Sequence, residues 1–206
     1  MEVKSIKLSP KKGGNGFVSS YTVNIGSTEA QKCNLLLDGK SPLLVKVVNP
    51  ENNEISIHPK KINFLKAEID NTIRLACELS RANLILSNSI PEVEHGIIDF
   101  SNIPDVSENA KTSEAALVYT AEQELKKFLM ALSFETITDV ITLMYMGRDG
   151  DANMQLQADE RFYDYWEYLC GTGCFSDNAY NLVTHMTEKD SLADYLDKGL
   201  RVIGWK

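Results

Sequence analysis

The chain has 206 residues, 43% of them hydrophobic and 24% charged, the balance of an ordinary globular protein with room for one domain or two smaller ones. No apolar run approaches the ~20 residues that cross a bilayer, and MEVKSIKLSPKK at the start has no apolar secretory segment, so a cytoplasmic protein without membrane contact is expected. The net charge of −8 conceals an asymmetry: ten lysines face five carboxylates up to Lys66 and eleven basic face twenty-four acidic residues after it, joining a +5 start to a −13 body.

Strand signals occupy residues 3–58. In FVSSYTVNI (17–25), Phe17, Ser19, Tyr21, Val23 and Ile25 alternate onto one face. LLVKVV (43–48) and EISIH (54–58) predict two more strands, joined through NPENN, whose asparagines tolerate positive φ. Before them, Ser27 is placed to cap a short helix, TEAQKCNLLL, with Glu29 near its positive end and Asp38-Gly39 closing it.

From Pro59 the period becomes helical. Ile62, Leu65, Ile69, Ile73 and Ala76 form one stripe. Residues 87–112 lose periodicity and predict a long loop with Ile97, Ile98 and Phe100 as its apolar points. Ser113 is the expected cap of a helix with the stripe Leu117, Ala121, Leu125, Phe128 and Leu132. A helix through Ile137, Val140, Ile141 and Met144 follows, with Gly147 placed to end it in the left-handed conformation. Phe162, Trp166 and Leu169 mark the next helix. Ser176 and Asp190 are the expected caps of two more, with stripes Ala179, Leu182, Val183, Met186 and Leu192, Leu196, Leu200, Ile203. The expected fold is α+β: a small β-rich module over residues 1–60, then an all-α domain over 61–206 with its long loop near 87–112.

The stretch GRDGDANMQLQADE (147–160) sets Asp149, Asp151, Asn153 and Glu160 at the first, third, fifth and twelfth places of a calcium loop. The sixth place, which turns with positive φ, holds Met154 at a cost of about 1–2 kcal/mol. A plain helix–helix corner is therefore expected, with Asp149 or Asp151 capping the next helix and Arg148 paired to a nearby carboxylate. DGKS (38–41) lacks the leading glycine of a phosphate loop, since Asn34 stands there, and reads as a turn. Cys170 and Cys174 lie four apart without a second pair or a close histidine, so they read as buried or half-buried thiols; Cys33 and Cys77 are scattered, and no metal or other cofactor is expected. His58, His95 and His185 lie apart, and no nucleophile elbow is present. Asp159, Glu160, Asp164 and Glu167 beside Arg161 read as a solvated helix face, and Tyr163, Tyr165, Trp166 and Tyr168 as packing or interface residues. No enzymatic activity is expected.

The loop KKGGNG (11–16) is basic, flexible and rich in backbone N–H groups, suited to following a nucleic-acid backbone. Together with YTVNIGSTEAQKCNLL and ENNEISIHPKK, it resembles the swapped-hairpin AbrB type of DNA-binding domain over residues 4–60. Gly26 stands where members usually have proline, Asn34-Leu35 replaces a Gly-Leu pair, and no arginine precedes Arg74. The resemblance implies a homodimer of interleaved hairpins. Lys7, Lys11, Lys12, Asn15 and Lys32 are then the candidate contacts to duplex DNA. ELKKFLMALSFETITDVITLMYMGRDGD and SLADYLDKGLRVIG resemble a bacterial domain family, DUF 3775, over about 62–204, which implies a helical fold and no particular chemistry. The functional expectation is a dimeric DNA-binding regulator, a transcription regulator or antitoxin-like protein, whose acidic helical domain binds a protein partner. The alternative is a non-catalytic interaction module that does not bind DNA.

Overall fold

The alternating residues near the start of the chain fold into two short hairpins rather than one sheet. The computed structural model describes residues 9–12, 18–22, 25, 27–33, 35, 43–49, 53–90, 104–150, 153–175 and 178–206. It divides the chain into two compact units, Met1–Lys61 and Ile62–Lys206.

In the first unit, β1 (Ser9–Lys12) pairs antiparallel with β2 (Val18–Thr22). Lys11 lies opposite Ser20 and Lys12 opposite Val18, so Ser19 is the extra residue of a bulge. A helix, α1 (Ser27–Lys32), comes next, and Ser27 is its first residue rather than its cap. It is shorter than the ten residues expected, because the Leu35 N–H turns back to the Ala30 carbonyl and closes the helix early. β3 (Leu44–Asn49) and β4 (Glu54–Pro59) form the second hairpin. Asn53 takes φ 53° at its turn, the conformation asparagine adopts most cheaply after glycine. The β3–β4 register places Val48 opposite Ile55 and Lys46 opposite Ile57, so Leu44, Lys46, Val48, Ile55 and Ile57 share a face. All five are exposed, Ile55 at 67%. The expected strand residues 3–8, with Phe17 and Val23, lie outside the described residues, as do DGKS (38–41) and most of NPENN.

The regular elements among the described residues of the second unit are all helices: α2 (Lys66–Ser89), α3 (Ser113–Met130), α4 (Phe134–Asp149), α5 (Ala158–Gly171), α6 (Ala179–Thr187) and α7 (Leu192–Val202). α4 is the centre. Every residue from Thr136 to Met144 is buried, as are Met146 and Gly147. Such a helix has no solvated face and must satisfy its polar groups internally. Thr138 donates to the Glu135 carbonyl and Thr142 to the Thr138 carbonyl, both at 2.8 Å. The Asp139 carboxylate, fully buried, accepts from the Asn63 backbone N–H at 2.8 Å and from Asn63 Nδ2 at 3.1 Å.

Those bonds explain why α2 begins later than its sequence pattern implies. Residues 60–65 are not helical, and Leu65, expected on the buried stripe, is 66% exposed. Asn63 is held by Asp139, and Phe64 packs edge-on against Phe162 and Trp205, with centroids 6.0 and 5.2 Å away. The helix starts once those anchors are made, and Glu68 Oε2 accepts the Leu65 N–H at 2.7 Å. The buried stripe then runs through Ile69, Thr72, Leu75, Ala76, Leu79, Ala82 and Leu86. α2 also extends to Ser89, so the predicted loop at 87–112 starts three residues late; Ile97, Ile98 and Phe100 lie outside the described residues.

Caps differ by single positions. Thr112, not Ser113, caps α3 by accepting from the Ala115 N–H, and α3 buries Ala115, Val118, Leu125 and Leu129 while Leu117 is 46% exposed. The helix carries more apolar residues than one face needs, and packing against α2 and α6 selects among them. Asn178 caps α6, and Ser191 precedes α7 in place of Asp190. The stripes of α4, α5 and α7 and most of that of α6 are buried as their periodicity predicts.

Gly147 does not end α4. The helix continues to Asp149, and Gly150, at φ 68°, closes it with an N–H to the Met146 carbonyl. Gly147 is needed for a different reason. A Cβ there would lie 1.8 Å from the Tyr195 carbonyl oxygen, and a Cβ at Gly199 would lie 2.3 Å from the Leu143 carbonyl oxygen. α4 and α7 therefore touch backbone to backbone at two adjacent points. Gly147→Ala or Gly199→Ala should cost about 3 kcal/mol or more in urea unfolding, although alanine favours an isolated helix by about 1 kcal/mol. Gly171, with nothing near its added Cβ, is the control, and Gly171→Ala should be neutral or slightly stabilising.

Candidate functional site

The sequence-predicted nucleic-acid residues are only partly placed. Lys11 is exposed at the end of β1, Lys12 follows it beyond the bulge, and Lys32 is exposed in the last turn of α1. Lys7 and Asn15 lie outside the described residues.

A second cluster, absent from the sequence reading, assembles where α4, α5 and α6 meet. Residues 145–149 form the last turn of α4, where Arg148 and Asp149 reach the surface and Tyr145 is half-buried. Tyr145 Oη lies 2.7 Å from His185 Nε2 on α6, and the two rings stack with centroids 6.0 Å apart. The Arg148 guanidinium sits 4.3 Å over the Tyr145 ring, a cation–π contact. Its Nε donates to Asp149 Oδ1 at 2.5 Å. The other carboxylate oxygen, Oδ2, accepts from Tyr165 Oη on α5 at 2.6 Å, and the Tyr165 ring meets Tyr168 edge-on at 5.8 Å. The result is one continuous chain of contacts, from His185 through Tyr145, Arg148, Asp149 and Tyr165 to Tyr168.

The electrostatics follow from this packing. Burial raises the Tyr145 phenol above its usual value, the Cys174 thiol adds to this, and Arg148 opposes it. Burial, the Asp149 hydrogen bond and the Asp149 charge raise the Tyr165 phenol strongly. Burial pushes the Asp149 carboxyl up, but the bonds from Arg148 and Tyr165 outweigh it and hold the group below the ordinary carboxylate range. Burial lowers His185, and Lys189 and Arg148 push it the same way while Glu188 opposes them. Near neutral pH the cluster therefore holds two protonated phenols, a neutral imidazole and an Arg–Asp ion pair.

The calcium-loop residues have other roles. Asp149 lies within α4 and is engaged by Arg148 and Tyr165, so the expected Arg148–carboxylate pair forms with the adjacent residue. Neither Asp149 nor any other aspartate side chain caps α5 in the described structure: Glu160 Oε2 accepts the Gln157 N–H at 3.1 Å at its start. Asn153 Oδ1 accepts the Gln155 N–H. Asp151 lies outside the described residues. Arg161 leaves the solvated face expected for it and donates to the carbonyls of Leu156, Met154 and Val202, binding the exposed end of α7 to the α4–α5 corner. Cys170, expected buried or half-buried, is exposed, while Cys174 is half-buried. Tyr165 and Trp166 are buried and Tyr168 is 62% exposed.

No family model, curated protein or solved structure matches this chain.

Asp149 and His185 have depressed pKa values that contribute to the acid behaviour, together with Asp197, which the Lys206 and Arg201 side chains hold below the carboxylate range. A group whose pKa is lower in the folded chain contributes stability above its unfolded value and loses it as pH falls toward the folded one. Stability should thus decline below about pH 6.5 as His185 protonates, and again below about pH 4 as Asp149 does. Asp149→Asn should cost about 1 kcal/mol at neutral pH, given partial solvent screening, and flatten the lower of the two steps. Urea melts across pH 3–8 at roughly unit intervals read both windows.

Proposed function

We propose that the chain is a homodimeric DNA-binding regulator, in which the first unit binds duplex and the helical unit receives a protein partner. The observation that carries the reading is the bare aliphatic face of the β3–β4 hairpin, where Leu44, Val48, Ile55 and Ile57 are all exposed. A two-stranded hairpin is at best marginally stable in water. Here the two hairpins form separate two-stranded sheets, β1–β2 and β3–β4, with α1 between them in sequence. The AbrB resemblance implies a dimer of interleaved hairpins, and in this reading a second chain covers the apolar face. The DNA reading rests on the same resemblance and on Lys11, Lys12 and Lys32, with Lys7 and Asn15 as the remaining expected contacts.

Sedimentation equilibrium of the full chain should give a dimer of 23.0 kDa subunits. Val48→Glu with Ile55→Glu should yield folded monomers, since both side chains are exposed in the single chain. A wild-type monomer at micromolar concentration removes the reading. The dimer should retard mixed duplex DNA at about 50 mM salt, with log affinity falling against log salt at about −0.9 per phosphate contacted. Lys11→Ala with Lys12→Ala should weaken binding and flatten that slope. The acidic body opposes binding over a screening distance of ~10 Å at 0.1 M salt. A second reading has its own support: no arginine precedes Arg74, which leaves the first unit without bidentate phosphate contacts. A dimer that fails to retard duplex at low salt is the non-catalytic interaction module.

A further inference from the structure

We propose that the end of α4 is a proton-linked binding site for a small oxyanion, a carboxylate or a sulfate- or phosphate-type group, received by Arg148 and the Tyr145 hydroxyl with His185 behind it. The site belongs to the helical unit and is independent of the DNA reading.

The geometry begins with Arg148. Cation–π contact with Tyr145 holds the plane of its guanidinium, and Asp149 takes Nε, so the side chain is fixed in direction although it is 39% exposed. The two terminal nitrogens form the outer edge of the group beside the Tyr145 hydroxyl, with which the guanidinium also hydrogen-bonds, and together these donors match two oxygens of one anion. Asp149 neutralises part of this charge. Each of its oxygens already accepts a hydrogen bond, one from Arg148 and one from Tyr165. The guanidinium is thus preorganised on both sides before any ligand arrives.

His185 supplies the second part. The charges acting on it are Lys189 and Glu188, just beyond α6, and Arg148 from α4. It is 2.7 Å from Tyr145 Oη, and in its neutral form it can accept the phenol proton at Nε2. When His185 takes up a proton, Nε2–H must donate to Tyr145 Oη. The phenol, which stays protonated, then turns its own O–H away from the imidazole and toward an anion at Arg148. Proton uptake at His185 therefore adds a positive charge behind the anion and aims a further donor at it. In the empty site that uptake is disfavoured by burial and by two nearby cations, and an anion at the guanidinium edge offsets both cations. Anion and proton should bind cooperatively.

Sulfate is the useful probe because its charge is constant between pH 5 and 8, and acetate tests the carboxylate form. The pKa of His185 in the full-length protein is measured by NMR titration in millimolar sulfate, in acetate and in chloride at matched ionic strength. The value should be depressed in chloride and rise in sulfate or acetate, and sulfate affinity should increase by up to about tenfold per pH unit of acidification between the two values. Arg148→Gln should abolish the anion-induced rise. Tyr145→Phe should leave sulfate bound but reduce its pH dependence. Should Arg148→Gln fail to fold, wild-type resonances still decide the matter, since sulfate must shift the Arg148 side-chain signals together with those of His185. An unchanged His185 pKa in both oxyanions, an equal response to chloride, or a rise that survives Arg148→Gln overturns the proposal.

Discussion

The helical unit depends on the backbone approach of α4 to α7. Two glycines, Gly147 and Gly199, remove the only atoms that would hold these helices apart, and each places its α-carbon against a carbonyl of the other helix. Dispersion and packing density fall off steeply with sub-ångström gaps, so this crossing fixes the distance between the helices more tightly than a larger side-chain interface would. With α7 set against it, α4 can be buried along most of its length, and its remaining sides are covered by α5 and α6. Its polar residues point to the same requirement: Thr138 and Thr142 bond to their own backbone, Thr136 to the Ser133 hydroxyl, and Asp139 takes up Asn63 from the segment before α2.

Burial of α4 also determines where its chemistry can be. Tyr145, Arg148 and Asp149 occupy its last turn, where the helix leaves the core, and they meet α5 and α6 already oriented by the packing behind them. Tyr165 and His185 are supplied by helices whose apolar stripes, Phe162–Trp166–Leu169 and Leu182–Val183–Met186, dock on that core. The polar cluster is thus a consequence of the hydrophobic one: its side chains are rigid because their helices are. A carboxylate shared by an arginine and a buried phenol is a low-mobility arrangement, and it turns a surface ion pair, worth little in isolation, into part of a connected network.

The two units solve the burial problem differently. Residues 62–206 bury a contiguous set of aliphatic and aromatic side chains within one chain. The β3–β4 hairpin of the first unit instead leaves four branched or long aliphatic residues on one exposed face. That contrast is what the proposal of a second chain on the first unit rests on.

Periodicity by itself determined the helical body and the buried faces of α4, α5 and α7, because those stripes consist of large aliphatics and aromatics with no rival face. Turn chemistry was legible too, since only a few residue types take positive φ cheaply: Asn53 lies at the β3–β4 turn. Other features needed the tertiary structure. α2 and α3 carry apolar residues on more than one side, and neighbouring helices chose which to bury, so Leu84 and Leu117 are exposed while Thr72 and Ala115 are not. Gly147 has the sequence context of a helix terminator, yet the contact that requires it comes from Tyr195, far along the chain. The Tyr145–His185 bond joins residues forty positions apart, and no local pattern encodes it. Short-range conformational preference is written in adjacent residues, whereas the meeting of side chains from α4, α5 and α6 is decided only when the helices pack.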